Sequence, residues 1–367
     1  MRKKLFHIPR KKLDVDFEID GVVTLIAKTQ KQDGEIPWSI GDKTDPWDHV
    51  EATMGLSIGG YFTEARRAFF WLANNQLNDG SWYASYIDGK PKDMTHDTNM
   101  SAYIAVGLFH YYLITGDLPF LKQMWNTMSA AIDFSISLQT SSGEIHWAKS
   151  PEGIVEPMAL LTGSSSIYMS LKCALAIAVL LGYDMPGWRL AMINLGHAIK
   201  HKPHRFNIAK SRFSMDWFYP ILSGAITGSE AQKRIGKYWK KYVISGEGTR
   251  CVSDEPWVTL AETCELSLAL SAMGNFNLSE IVFRWISEKR FEDGSYWCGH
   301  TWPEMIIWPE EKVTWTNAVV LLAADALFQL TPASILFSHQ FWQTTEHQFQ
   351  TRSTNNQDSK EGIHFLS

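Results

Sequence analysis

The chain has 367 residues, 45% of them hydrophobic and 20% charged, a composition that supports a sizeable buried core. Its net charge of −5 supplies no basic face for phosphates, so no nucleic-acid partner is expected. Nor does any uninterrupted apolar run approach the ~18 residues that span a bilayer.

Residues 1–17 form a basic arm opening MRKKLFHIPRKK, with no long apolar run after it that would make it a secretion signal. A cytoplasmic protein is expected, with contact between this arm and anionic lipid as the one membrane role open to it. An amphipathic stretch near 18–31 is then followed by a more apolar, Gly- and Ala-rich one near 48–61. The alternation continues as 63–77 with 97–115, 119–139 with 164–182, 187–201 with 216–227, 229–243 with 257–273, and 278–290 with 315–330. A helix that is apolar all round is buried all round, whereas a striped one keeps a wet face. Six pairs therefore predict an all-α (α/α)6 toroid over 18–342, six inner helices wrapped by six outer ones. Residues 343–367 are polar and poor in aliphatics, and a disordered tail is expected there. The four cysteines, at 173, 251, 264 and 298, have no paired close spacing and are expected to be reduced thiols.

A phrase recurs at the end of several amphipathic stretches: Gln or a basic residue, a polar turn with Gly, then Trp. It occurs as Gln30, Gly34 and Trp38; as Gln76, Gly80 and Trp82; as Gln139, Gly143 and Trp147; and as Arg290, Gly294 and Trp297. Gly stops a helix in a backbone conformation other residues resist, and Gln can bond free groups at a helix end. These tryptophans are expected to be mainly scaffold.

If the inner helices run one way, the residues that open them meet at one mouth. Asp, Ser and Thr there are expected as helix caps, but aromatic rings and extra carboxylates come with them, as in a ligand pocket. Candidate binding residues are Trp47, Asp48, Tyr103, Asp216, Trp217, Tyr219, Trp257, Glu262, Trp315 and Asn317. The densest polar group is His96, Asp97 and Asn99, expected to be catalytic, with Asp97 as the acid. Glu262 and Glu265, three apart on an apolar helix, are costly to bury unless paired or used. Cys298 and His300 are only two ligand types close together, so no metal or other cofactor is expected.

At these motifs the sequence resembles the squalene–hopene cyclase and prenyltransferase β-subunit superfamily, whose "QW" repeats are similar to the Gln–Gly–Trp phrases over most of the chain. The resemblance implies an inner-helix Asp-x-Asp-Asp-Thr motif whose middle Asp protonates an alkene or epoxide. Of that motif, the stretch from Thr95 to Asn99 keeps the final Asp and Thr, with His96 in the proton donor's place. The implied function is acid-initiated carbocation chemistry on an isoprenoid, Asp97 made acidic by desolvation and the rings facing the cation. Two alternatives stand beside it. Toroids of this type also host glycosidases, and Asp48, Glu51, Asp97, Asp216, Glu255 and Glu262 offer the paired carboxylates such chemistry requires. The other is a non-catalytic lipid-binding or scaffold toroid.

Overall fold

In the computed structural model, residues 19–344 are described. Thirteen α-helices run through residues 19–328: α1 (Ile19–Thr29), α2 (Pro46–Ile58), α3 (Phe62–Asn75), α4 (Thr98–Ala102), α5 (Ile104–Thr115), α6 (Leu118–Ser137), α7 (Leu161–Leu181), α8 (Pro186–His201), α9 (Ser214–Leu222), α10 (Gly228–Tyr242), α11 (Leu260–Ala272), α12 (Phe276–Arg284) and α13 (Thr314–Phe328). The arm 1–17 lies outside the described residues, as does the tail from 345 onward. Residues 339–344, which overlap the expected tail by two, are helical.

The architecture is an (α/α)6 toroid. Helices α2, α5, α7, α9, α11 and α13 each pack on the next, and α13 packs back on α2, closing an inner ring. Burial follows the expected division. Every residue of α11 is buried, whereas outer α10 buries only Ala231, Ile235 and Tyr242. Helix α7 is long and apolar enough to cross a bilayer by length and composition, and its 78% burial within the ring accounts for that character.

Connections from inner to outer helices are short turns, such as 59–61 and 116–117, while those from outer to inner are long. The long ones carry two antiparallel sheets that sequence reading did not find. The first orders β1 (Tyr83–Ile87), β2 (Lys90–Asp97), β3 (Ala148–Lys149) and β4 (Val155–Glu156). The second orders β5 (Val243–Ile244), β6 (Gly248–Arg250), β7 (Trp257–Thr259) and β8 (Gly299–Thr301). Most of these strands are two or three residues long, too short for an alternation pattern to show. They join successive loops, His96 pairing with Lys149 and Val258 with His300, and so brace the inner-helix N-termini.

The recurrent phrase is the fastening of the outer ring. The Gln30 amide donates to Gly34 O (3.1 Å) and to Glu64 O on α3 (2.9 Å). Gln76 donates in the same way to Gly80 O (2.9 Å) and to Thr127 O on α6 (2.8 Å). Gln139 does so to Gly143 O (2.9 Å) and Ala191 O on α8 (2.9 Å). In each copy the glycine meets the backbone of the next outer helix. A Cβ on Gly80 would lie 2.2 Å from Ala130 O, and the residue has φ +90°, a conformation that also favours glycine. The fourth copy packs on α1, where a Cβ on Gly21 would lie 2.8 Å from Asp293 O. The staple thus ties together the two ends of the outer ring.

Candidate active site

The mouth is assembled from α2 upward. Asp45 caps the helix by accepting from Asp48 N (2.9 Å), and its other oxygen accepts from Trp38 Nε1 (2.7 Å). One turn in, Trp47 Nε1 donates to Glu51 Oε1 (2.9 Å), and Tyr103 OH, arriving from the α4–α5 junction, donates to the same oxygen (3.2 Å). The Trp47 ring also touches Tyr103 (5.5 Å between centroids) and Tyr219 on α9 (5.7 Å). Helix α9 stands three places from α2 around the ring, so this contact spans the centre of the toroid.

Helix α11 brings Glu262 and Glu265 to the same centre. Burial, then the charges of Asp45 and Glu262, lift Glu51 to about 8 against the two hydrogen bonds it accepts. Glu265 is pushed well above the carboxylate range by burial, then by Glu51 and Glu262. Asp48, half-buried at the mouth, is also raised well above that range by burial, then by Asp45 and Glu51, with Lys43 opposing. Glu262 keeps one buried oxygen, Oε2, with no partner among the described residues. Cys298 links the two sides: burial and the charge of Glu262, with a contribution from Asp48, lift its thiol to about 12. Four acidic side chains thus share one aromatic-walled site, two held by α2 and two by α11.

The other candidates take different places. Asp97 caps α4, accepting from Met100 N (2.9 Å), and burial raises it to about 6. His96 is turned toward Ser81 Oγ (2.7 Å) and Asp79 Oδ2 (3.1 Å), in a cluster that Lys149 completes. Asp216 accepts from Thr162 N (3.1 Å) and Oγ1 (2.6 Å), pinning the start of α7 to α9. Trp217 faces the outer ring, stacked on Tyr242 (5.1 Å) with its N–H on Arg234 O (2.9 Å). Asn317 holds Tyr296 N (2.8 Å) and Val313 O (2.8 Å). Trp257 meets Trp308 edge-on (5.0 Å), and Trp315 lies beside Trp38 (6.0 Å) at the first turn of α13.

Sequence reading placed Glu51 among the candidate carboxylates and marked Glu265 as costly to bury, but left both out of the binding set. The signal for Glu51 was the Trp four residues before it, which a helix places over the same face. Tyr103 reaching across from another helix carried no such signal.

No family model matches the chain. Over 312 residues it is 47% identical to an MMP endo-(1,4)-3-O-methyl-alpha-D-mannosidase of Mycolicibacterium hassiacum, spanning 85% of this chain and 86% of that protein. The chain belongs to this mannosidase's family. A 118-residue stretch is 28% identical to an uncharacterized glycosyl hydrolase of Methanocaldococcus jannaschii, covering 31% of this chain and 19% of the other. Among solved structures, a glycosidase E178A variant superposes with TM-score 0.67 at 12% identity, covering 86% of this chain and 96% of that one. A GH63 mannosylglycerate hydrolase of Thermus thermophilus in complex with glucose gives 0.65 at 10% identity, covering 83% and 99%. A D-mannose isomerase gives 0.65 at 10%, covering 85% and 96%. At such identities these likenesses establish the fold alone.

Membership in the mannosidase family overturns the cyclase and prenyltransferase resemblance, and with it the isoprenoid substrate and the carbocation roles given to Asp97, His96 and the mouth aromatics. The physical reason is visible in the staple. Gln, Gly and Trp recur because outer helices must be fastened to one another, a need that says nothing of the ligand.

Proposed function

We propose that the protein is a glycoside hydrolase that cleaves internal α-1,4 linkages of a 3-O-methylated mannose chain, with Asp48 as general acid and Glu262 as general base. The single observation that carries this reading is the crowding of buried carboxyls from α2 and α11 into one site walled by Trp47, Tyr103 and Tyr219. The substrate class comes from the mannosidase relative.

The chemistry follows from the surroundings. Burial and its acidic neighbours favour the protonated form of Asp48, which stands at the half-buried rim, so it can protonate the glycosidic oxygen as the C1–O bond breaks. The unpartnered Oε2 of Glu262 accepts a proton from water as the water oxygen bonds to C1. Water is consumed, two shorter chains leave, and the proton gained by Glu262 returns through solvent to Asp48. Glu51 and Glu265 lie deeper, and burial with the nearby Asp45 and Glu51 raises Asp48. Aromatic faces at Trp47, Tyr103 and Tyr219 offer apolar surface to the sugar ring and its methyl groups.

The test is incubation of the protein with a 3-O-methylated α-1,4-mannooligosaccharide, following chain length by mass spectrometry. Internal cleavage is expected, with kcat lowered by ~10³-fold or more in Asp48→Asn and Glu262→Gln, the scale of losing an acid or base held in place. Full activity in both variants would reject the assignment.

A further inference from the structure

Asn99 stands apart among the mouth residues because its buried carbonyl is unused. The side chain is 6% exposed, and Oδ1 has no partner among the described residues. An unpaired buried acceptor forfeits its hydration without compensation, so a structural role does not account for it. Its direction is set by the helix. Asn99 and Tyr103 are four apart, which puts them on one stripe, and Tyr103 bonds Glu51 and touches Trp47 at the centre of the site.

The facing surface is kept low. Gly163, in the first turn of α7, lies over Asn99: a Cβ there would stand 3.5 Å from Asn99 Cβ and 4.0 Å from its Cγ. These are ordinary contacts, and no backbone atom blocks a methyl group. Gly163 is also helical, with no positive φ to demand glycine. Packing therefore does not require a glycine at 163, and a side chain there would sit against the Asn99 amide.

Resting on the hydrolase reading above, we propose that Asn99 binds a ring hydroxyl of the sugar whose bond is cleaved, accepting its O–H at Oδ1, and that Gly163 provides the clearance for that sugar beside the amide. This gives Asn99 a substrate-recognition role in place of the catalytic role expected beside Asp97.

Three variants, Asn99→Ala, Asn99→Leu and Gly163→Ala, are to be compared with the wild type on the 3-O-methylated mannooligosaccharide, with thermal unfolding of each in the absence of ligand. Asn99→Leu removes an unpaired carbonyl at similar volume, so its Tm is expected to hold or rise while kcat/KM falls about tenfold or more, the loss of a substrate hydrogen bond. Gly163→Ala is expected to hold or raise Tm, as alanine does in a helix, and to lower kcat/KM as well. Unchanged kcat/KM in an active background would overturn the inference alone, as would a fall in Tm in the Leu and Ala variants that matches their loss of activity. A wild type that leaves the substrate intact would instead remove the hydrolase reading, and this inference with it.

Discussion

At the scale of single residues, the site is governed by the cost of crowding carboxyls in a dry space. Four of them meet where α2 and α11 face each other, and the pKa of Glu51 rises to about 8 even with two donors on it. The sign of the consequence is fixed. A carboxyl whose folded-state pKa exceeds its unfolded value, about 4.3, binds a proton on folding between those two values. Stability contributed by neutral Glu51 is therefore present below about pH 4.3 and is progressively lost as pH rises toward about 8. Glu51→Gln is expected to flatten this decline, so that its Tm advantage over the wild type grows between pH 5 and pH 8. Thermal unfolding across that range checks it, and a constant difference would contradict it. Residue-level reading of the sequence went only part of this way. The carboxylates, the caps and the aromatics were all visible, but which rings line the centre depended on helix rotation. Trp217 turns outward to Tyr242 while Tyr219, two residues on, turns inward to Trp47. His96 and Asp97 are adjacent in sequence yet belong to different networks, because successive side chains of β2 point to opposite faces and Asp97, its last residue, also caps α4.

At the scale of elements, the alternation of striped and wholly apolar helices was legible because burial writes itself into composition. The apolar stretch near 97–115 is in fact two helices meeting at Tyr103, and the stretch near 257–273 begins as strand β7 before α11 starts at Leu260. Both departures fall beside the site, where loop pairing competes with helix propagation. The staple is the element-level feature with the clearest energetic consequence. Gly80→Ala would place a methyl group 2.2 Å from Ala130 O at a φ of +90°, so it must push α3 and α6 apart. A loss of about 2–4 kcal/mol is expected from strain and overpacking together, measured by denaturant unfolding. Gln76→Ala, which removes two hydrogen bonds to main-chain carbonyls, is expected to cost about 1–3 kcal/mol. Stability unchanged in both variants would contradict the fastening role. This same regularity is why the sequence pointed to the wrong family: a repeated mechanical solution looks alike wherever paired helices close into a ring.

At the scale of the whole molecule, the toroid collects the mouth carboxyls by ring position. Helices α2 and α11 are second neighbours with α13 between them. With the proposed acid on α2 and the proposed base on α11, the proposed mechanism takes the wider carboxyl separation that leaves room for a water between them. That arrangement implies a single displacement, with the attacking oxygen arriving on the face opposite the departing one. The most direct test is time-resolved proton NMR of the first minutes of digestion of a 3-O-methylated α-1,4-mannooligosaccharide. The account predicts that the new reducing end appears first as the β-anomer and only later equilibrates to the α-form. Initial release of the α-anomer, or no new reducing end at all, would contradict it.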